Sequence, residues 1–345
     1  MGYSFLNDYS EGCVPEILDI LGRTNHTQEV GYGEDALCVE ATGLIRGETG
    51  CLKADVHFVS GATQANKIII SSALRPFEAV VAAGTGHIAV HEAGAIEATG
   101  HKVCTVPTTD GKLTPELVDQ VVKFHSDEHM VKPRMVYISN TTEVGTVYVK
   151  KELTALKEYC GVNNLYLFVD GARLAQALTS KANDIAMKEF AAIPDIFYTG
   201  GTKNGALLGE AIVINNENIK KDFRFNLKQN GALLAKGRIL GAQFVGLFTD
   251  NIFYRNGAHA NSMAMKLADG IEEAGFGFMA EPESNQIFPI LPNRVIESLL
   301  KDYRFYRWAD NGDGSSSIRL VTSWATKEDK VDRFIADLKS ANRCA

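Results

Sequence analysis

Short apolar runs alternate with stretches of helical spacing between residues 54 and 214 of this chain. Most of these runs are continuous rather than alternating, a pattern typical of strands buried on both faces of a largely parallel sheet. We predict seven strands, at Ala54–Val59, Ala79–Ala83, Lys102–Val106, Met135–Ser139, Leu165–Asp170, Asp195–Thr199 and Ala211–Ile214. Apolar residues spaced three and four apart predict intervening helices at Gln64–Leu74, Pro115–Phe124 and Leu153–Cys160. The alternation predicts an α/β/α sandwich.

The pattern changes after Ile214. Two long stretches of helical spacing, residues 236–253 and 258–273, precede three shorter runs that predict a small antiparallel sheet. These runs are Gln286–Ile290, Phe305–Trp308 and Ser317–Thr322, with a hairpin turn at residues 311–314 and a closing amphipathic helix at residues 327–341. We therefore predict a large domain over residues 1–245, which includes an N-terminal arm, and a small α+β C-terminal domain over residues 246–345.

Composition argues against several classes of function. The 345 residues are 45% hydrophobic and carry a formal net charge of −7, and the basic residues are dispersed, so we expect no nucleic-acid partner. No apolar run approaches the ~20 residues of a membrane-spanning helix, so we expect no membrane partner. The N-terminus lacks the basic and apolar segments of a signal peptide, and the six cysteines form no CxxC pair. We expect a cytoplasmic protein with reduced thiols and no metal site.

A lysine follows one predicted strand, and an aspartate ends the strand before it. Lys203 lies in Thr199-Gly-Gly-Thr-Lys-Asn-Gly205, and Asp170 closes the run that begins at Leu165. Taken separately, each has a structural interpretation, as a strand cap or as a loop lysine that reaches solvent. Together they suit an enzyme of pyridoxal 5′-phosphate, in which a lysine forms an imine with the cofactor and a carboxylate keeps the pyridine nitrogen protonated.

A turn of small residues, Ser60-Gly-Ala-Thr-Gln-Ala-Asn66, joins a predicted strand to a predicted helix. Its backbone N–H groups can hold a phosphate, aided by the positive end of the helix. The turn matches neither GxGxxG nor GxxxxGK[ST], so the sequence does not indicate a dinucleotide or nucleoside triphosphate site. A cofactor with a single phosphate suits it better.

Histidines and arginines supply further candidates. His87 and His91 are four residues apart with Glu92 beside them, but the order is that of neither HExxH nor HxxEH. We therefore favour a His87 that faces a cofactor, with His91 packed in a helix, over a zinc site. Arg173 and Arg319 are candidates to bind a substrate carboxylate, because the planar guanidinium suits bidentate contacts.

Seven segments, taken in their order and spacing, resemble the fold-type-I pyridoxal-phosphate enzymes of the L-threonine aldolase and β-eliminating lyase group. They span nearly the whole chain and are Asn7-Asp-Tyr-Ser-Glu-Gly12, Tyr32-Gly-Glu-Asp35, Ser60-Gly-Ala-Thr-Gln-Ala-Asn66, Gly86-His87 with His91-Glu-Ala-Gly-Ala95, Asp170-Gly-Ala-Arg-Leu174, Gly200-Gly-Thr-Lys-Asn-Gly205 and the strand around Arg319. The resemblance implies the fold-type-I α/β/α sandwich and a homodimer or homotetramer whose active sites are shared between subunits.

The resemblance also implies roles for individual residues. The catalytic residues would be Lys203, which binds the cofactor covalently, Asp170, which pairs with its ring nitrogen, and His87, which stacks on its ring. Further cofactor contacts would come from Gly61, Ala62, Thr63, Thr202, Arg173 and Lys236. The substrate would be bound by Asn7, Arg173, Arg319, Tyr32 and Thr142, and Tyr32 and Lys236 would reach into the site of a neighbouring subunit.

One position departs from the family pattern. Many relatives carry an Asn-Thr-His motif whose histidine faces the substrate hydroxyl, and Thr142 stands at that position here. The departure leaves open which base acts on the β-hydroxyl, with His87 or a water as candidates. It also leaves open how threonine and allo-threonine are distinguished, and a strong preference would indicate that His87 or Glu143 contacts the hydroxyl.

The resemblance implies a lyase of low specificity that cleaves L-threonine or L-allo-threonine to glycine and acetaldehyde. Composition does not separate this reaction from two alternatives on the same cofactor, β-elimination and transamination. An alternative of a different class is a non-catalytic nucleotide-binding domain, which would leave Lys203 without a role.

Overall fold

The computed structural model describes residues 2–343, so Cys344 lies outside the described residues. The helices are α1 Pro15–Thr24, α2 Ala36–Thr49, α3 Ala62–Ala73, α4 His87–Val90, α5 Pro115–Phe124, α6 Lys150–Val162, α7 Leu174–Leu178, α8 Met187–Ala191, α9 Glu217–Lys220, α10 Phe223–Gln229, α11 Arg238–Phe248, α12 Ile252–Glu273, α13 Asn293–Leu299 and α14 Glu328–Arg343. Within residues 2–343, none of the helices is both long and apolar enough to cross a membrane.

The strands fall into one large sheet and smaller groups. They are β1 Tyr3–Ser4, β2 Asp55–Val59, β3 Glu78–Ala83, β4 Val103–Val106, β5 Lys132–Ser139, β6 Tyr166–Asp170, β7 Ile196–Gly200, β8 Glu210–Ile214, β9 Gln286–Ile287, β10 Ile290–Pro292, β11 Tyr303–Arg304, β12 Tyr306–Asp310 and β13 Ser315–Val321. The large sheet has the order β2-β8-β7-β6-β5-β3-β4. Only β8 runs antiparallel to its neighbours, so the predicted, mainly parallel sheet is confirmed.

The large sheet is buried on both faces. Along β3, Ala79 and Val81 pack in one hydrophobic cluster, whereas Val80 and Ala82 pack in another, as the two-residue period of a strand requires. Helices α2, α6 and α11 contribute to the first cluster and α3 to the second. The predicted α/β/α sandwich is therefore confirmed.

Residues that follow strands at one edge of this sheet come close together. In the register of β5 and β6, Ser139 stands opposite Asp170. The carboxyl ends of parallel strands share one edge, and ligands of open α/β sheets bind at that edge. The segments after β2, β3, β5, β6 and β7 therefore supply the groups described below.

A third hydrophobic cluster lies in the C-terminal part of the chain, where β10, β12 and β13 form an antiparallel sheet. The predicted hairpin turn at residues 311–314 joins β12 to β13. The N-terminal arm belongs with this part, because β1 pairs with β11 and Phe5 is buried in the third cluster.

Two predicted elements are wrong at their ends. The predicted helix over residues 236–253 stops at Phe248, because Asp250 and Asn251 adopt positive φ angles of 51° and 61°. The predicted strand Gln286–Ile290 divides into β9 and β10 around Pro289, which has no N–H group to donate to a ladder. The boundary predicted between residues 245 and 246 falls inside α11, and the division into two domains stays a prediction.

Candidate active site

Lys203 follows β7 in a short 3₁₀ turn, Thr202–Asn204. Glycines on either side permit this turn: a Cβ at Gly200 would lie 2.3 Å from the carbonyl oxygen of Ala172, and Gly205 has a φ of 96°. Lys203 lines a cavity of about 450 Å³, here called the Lys203 cavity. Burial, together with the charge of Arg173, lowers the pKa of Lys203. The lowered pKa favours the neutral amine, which is the nucleophilic form.

Asp170 ends β6 and is buried. Its carboxylate accepts hydrogen bonds from the Tyr137 hydroxyl at 2.6 Å, from the Ala172 N–H at 3.0 Å and from the Asn66 amide at 3.4 Å. The carboxylate is thus held in a fixed orientation at the base of the site.

Lys203 and Asp170 meet in one place. A small recess of about 30 Å³ is lined by both residues and also by His87, Ala62 and Glu143. An amine of lowered pKa beside a fixed carboxylate fits the two polar ends of a pyridoxal ring, its aldehyde and its ring nitrogen. Lys203 and Asp170 line the same recess because they stand at the carboxyl ends of neighbouring parallel strands, β7 and β6.

The turn at Gly61 leaves room for a phosphate. Gly61 precedes α3, no side chain caps this helix, and a Cβ at Gly61 would meet no atom within 4 Å. The first N–H groups of a helix have no partner inside the helix, so those of Ala62 and Thr63 are available to an anion.

The predicted phosphate ligand Thr202 already has partners within the chain. Its hydroxyl donates to Glu210 Oε1 at 3.0 Å and accepts from the Gly209 N–H at 3.1 Å. Burial raises the pKa of Glu210 to about 8, although the charge of Lys203 acts in the opposite direction. Glu210 was not predicted from the sequence. The predicted contact between Thr202 and the cofactor stays a prediction.

His87 is held by two glutamates. Its Nδ1 lies 2.8 Å from Glu92 Oε1, and its backbone N–H donates to Glu143 Oε1 at 2.8 Å. The Asn66 amide contacts both Glu92, at 2.6 Å, and Asp170, at 3.4 Å, so a chain of polar contacts joins His87 to Asp170. His91 also lines the Lys203 cavity, with its ring centroid 5.5 Å from that of His87. His87 is therefore oriented by glutamates of the segments that follow β3 and β5.

Arg173 lines the cavity but is paired with an acid that was not predicted. Its Nε and Nη2 donate to the two carboxylate oxygens of Asp8 at 2.7 and 3.1 Å, and the Asn285 amide donates to Asp8 at 2.9 Å. Burial alone would raise the pKa of Asp8, but the charges of Arg173 and Lys203 outweigh it and the pKa is lowered. The neighbouring Asn7, the predicted ligand, instead accepts from the Tyr9 N–H and the Ser10 hydroxyl and does not line the cavity.

Among the described arginines that line the Lys203 cavity, Arg319 has no acidic partner, whereas Arg173 pairs with Asp8 and Arg307 with Glu297. Its Nη2 donates to the Leu6 carbonyl at 3.1 Å, and its guanidinium carbon lies 5.1 and 5.5 Å from the ring centroids of Tyr306 and Trp308. Its Nε is buried and has no hydrogen-bond partner. Because an unpaired buried donor is costly, this guanidinium is suited to receive an anionic ligand from the cavity.

Thr142 and Glu143 follow β5 and differ in where they lie. The Thr142 hydroxyl lies 2.7 Å from the Thr146 hydroxyl in a buried position, and Thr142 does not line the Lys203 cavity. Glu143, which follows it, lines both the cavity and the recess. The family pattern points to Thr142, but in the structure Glu143 is the residue that lines the cavity.

Tyr32 and Lys236 are not brought to Lys203 within the chain. Both side chains are exposed, and Tyr32 has a positive φ of 65°. The Nζ of Lys228 lies 4.6 Å from the centroid of the Tyr32 ring. Their predicted contribution to the site of a neighbouring subunit stays a prediction.

Comparisons of the sequence identify related proteins. A family model described as β-eliminating lyase matches residues 11–292. Low specificity L-threonine aldolase of a Pseudomonas species is 35% identical over 342 residues, which make up 97% of this chain and 97% of that protein. The protein of the same name from Pseudomonas aeruginosa is 33% identical over 341 residues, with 97% and 96% covered.

Comparisons of the structure agree with those of the sequence. A solved structure of Leishmania major threonine aldolase has 49% sequence identity and a TM-score of 0.97, and the match covers 99% of each chain. Aspartate aminotransferase of Thermus thermophilus has a TM-score of 0.73 at 16% identity, covering 99% of this chain and 91% of the other. The second likeness concerns the fold alone.

Proposed function

The chain belongs to the β-eliminating lyase family, and on this basis we propose that it is a pyridoxal-phosphate-dependent lyase of low specificity. Its reaction is the cleavage of the Cα–Cβ bond of L-threonine or L-allo-threonine to glycine and acetaldehyde. The observation that carries this proposal is the recess in which Lys203 and Asp170 meet.

Residues at three strand ends would hold the cofactor. Lys203 would bind its aldehyde, Asp170 would pair with its ring nitrogen, and the N–H groups at Gly61, Ala62 and Thr63 would hold its phosphate. When bound, pyridoxal 5′-phosphate supplies a sink for the electron pair of the bond that breaks at Cα. The Tyr137 hydroxyl, which donates to Asp170 at 2.6 Å, keeps that carboxylate in place.

Arg319 binds the substrate carboxylate. Its buried Nε has no partner and its guanidinium lies against Tyr306 and Trp308, so an incoming carboxylate completes its hydrogen bonds without breaking an existing ion pair. Arg173 supports the same region, but because Asp8 occupies its guanidinium, its part is to hold the N-terminal arm against the site. His87 packs beside the cofactor ring, fixed by Glu92.

The proposed reaction is tested by its products. Purified protein supplied with pyridoxal 5′-phosphate and L-threonine is assayed for acetaldehyde with a coupled alcohol dehydrogenase and for glycine by amino-acid analysis. We expect the two products in equal amounts. Release of ammonia with a keto acid, or exchange of the amino group with a keto acid, would instead assign β-elimination or transamination to the site.

We also propose a homodimer or homotetramer. Support comes from Tyr32 and Lys236, which are exposed in the single chain at positions that the family resemblance assigns to a neighbouring site. Light scattering coupled to gel filtration tests this: two or four subunits are expected, and a monomer with full activity would contradict it.

A cytoplasmic location completes the proposal. The five cysteines among the described residues are free thiols, as in proteins of reducing compartments. Cell fractionation with the native protein tests the location, and recovery in a secreted fraction would overturn it.

A further inference from the structure

The group that acts on the substrate β-hydroxyl is open, because the residue at the expected position does not reach the site. Thr142 directs its hydroxyl to Thr146 Oγ1 at 2.7 Å, and its side chain is buried away from the Lys203 cavity. The hydroxyl is therefore contacted by a different residue of the cavity or by a water.

Only two of the described residues that line the Lys203 cavity or its recess carry a carboxyl group, Asp170 and Glu143. Asp170 already accepts hydrogen bonds from Tyr137, Ala172 and Asn66, and its place at the end of β6 suits the cofactor nitrogen. Glu143 remains for the substrate.

The two oxygens of Glu143 are in different surroundings. Oε1 accepts the His87 N–H at 2.8 Å and the Ser139 hydroxyl at 2.6 Å. No other residue among 2–343 donates a hydrogen bond to Oε2, although Glu143 lines the cavity. The first oxygen fixes the carboxyl group in place, and the second is left for a ligand.

The surroundings of Glu143 also suit proton transfer. Burial raises the pKa of Glu143, and the charge of Asp170 adds to the effect, although the Ser139 hydroxyl opposes it. A base whose pKa lies nearer to neutral pH than that of a free carboxylate both takes up and returns a proton effectively. His87 is the competing candidate, because the contact of its Nδ1 with Glu92 leaves Nε2 free, but its ring is assigned to the cofactor under the proposed function.

We propose that Glu143 is the catalytic base for the substrate β-hydroxyl, an inference that rests on the proposed function. The O–H bond of the substrate β-hydroxyl breaks, and its proton passes to Glu143 Oε2. The substrate oxygen becomes the carbonyl oxygen of acetaldehyde. The Cα–Cβ bond breaks at the same time, and its electron pair stays with the glycine fragment. Cα then takes up one proton, which balances the proton received by Glu143.

The test is Glu143→Gln, compared with wild type for L-threonine and for glycine. The amide keeps an oxygen to accept from His87 and Ser139 but does not take up the proton. We expect kcat for threonine cleavage to fall about a hundredfold or more, as loss of a general base does. Glycine has no β-hydroxyl, so its equilibrium dissociation constant, read from the change in cofactor absorbance, is expected to stay within about threefold of wild type.

Glu283→Gln is the matched control. Glu283 also accepts a backbone N–H, that of Val147 at 2.6 Å, but it does not line the Lys203 cavity. This variant is expected to retain the wild-type kcat for threonine, and a comparable loss in both variants would overturn the proposal.

Three further outcomes would also overturn it. Glu143→Gln with near wild-type kcat would show that another group takes the proton. An equal loss of glycine binding would show that the carboxyl only maintains the site. A wild-type protein that binds glycine but leaves threonine intact would remove the proposed function itself, a failure seen in the wild type alone and so distinct from the other two.

Discussion

Two cavities of this molecule contain a titratable group whose pKa is lowered by burial. One is the Lys203 cavity. The other, of about 60 Å³ and here called the His57 cavity, lies beside the edge strand β2 and is lined by residues that include His57, Cys38 and Arg224. Burial lowers the pKa of His57 to about 4 and also lowers that of Lys203. By a perturbed pKa alone, both cavities are candidates for a functional site.

The surroundings of the two groups differ. The charges of Asp8, Asp170 and Glu210 act on Lys203, and a cavity large enough for a substrate opens beside it. The ring of His57 instead stacks on Phe223 at 5.0 Å, and its Nε2 has no hydrogen-bond partner. At Lys203 the perturbed pKa occurs beside buried acids and a large cavity and indicates chemistry. At His57, on which the charges of Asp55, Arg224 and Arg46 also act, it occurs with a stacked ring in a small cavity and indicates packing.

The largest effect is expected at Asp170. Asp170→Asn keeps the shape of the side chain and an oxygen for Tyr137, but it removes the negative charge that pairs with the cofactor nitrogen. Loss of one ionic partner in an enclosed site costs about 2–5 kcal/mol, so threonine cleavage is expected to fall by between about thirtyfold and about five-thousandfold. The measurement is kcat/KM with saturating cofactor.

Asp195→Asn is the matched control for this comparison. Asp195 is also buried and accepts a backbone N–H, that of Leu167 at 2.8 Å, but it lies outside the Lys203 cavity. Equal losses of activity in the two variants would show that Asp170 acts through stability rather than through the cofactor.

An intermediate effect is expected at Arg319. Arg319→Ala removes the predicted carboxylate anchor, so KM for threonine should rise and kcat should fall, because a displacement of ~1 Å can cost about a hundredfold in rate. Arg255→Ala, at an arginine that pairs with Glu16 and does not line the Lys203 cavity, should change neither constant. Steady-state kinetics of both variants check this, and an unchanged KM in Arg319→Ala would place the carboxylate elsewhere.

The smallest effect on activity is expected at His57, where stability should change instead. Its pKa is lowered to about 4 by burial, so the unfolded state binds the proton first as the pH falls below about 6.5. Between pH 7 and pH 5, the free energy of unfolding of the wild type should therefore fall by about 2 kcal/mol more than that of His57→Phe.

Denaturant unfolding of the two proteins at both pH values measures this difference. Threonine cleavage at pH 7 should agree within about twofold. A large loss of activity in His57→Phe would show that the His57 cavity also contributes to the reaction, which would contradict the assignment of His57 to packing.

Much of the fold could be predicted because it depends on local patterns. The continuous apolar run around Leu167 and the helical spacing of Pro115–Phe124 identify their elements without reference to the rest of the chain. The end of α11 could not be predicted in this way, because Asp250 and Asn251 differ little from surface residues of a helix until their positive φ angles are seen.

The candidate residues Lys203, Asp170 and His87 could be selected from the sequence because they end or follow strands in recognisable segments, and their roles stay predictions. Glu143 drew attention only because it stands beside Thr142. Two further acids of the site gave no such signal: Asp8 meets Arg173 across 165 positions of sequence, and Glu210 resembles a surface glutamate. Burial and neighbouring charges shift the pKa values of these acids, and both depend on the folded chain.

The central claim is that Lys203 is the residue that binds pyridoxal 5′-phosphate, and reductive trapping tests it most directly. The protein is incubated with the cofactor, reduced with borohydride, digested and mapped by mass spectrometry. We predict a pyridoxyl phosphate group on Lys203, and no such covalent label at that site in Lys203→Ala. Labelling spread over surface lysines, or an unlabelled Lys203 in protein that still cleaves threonine, would contradict the account.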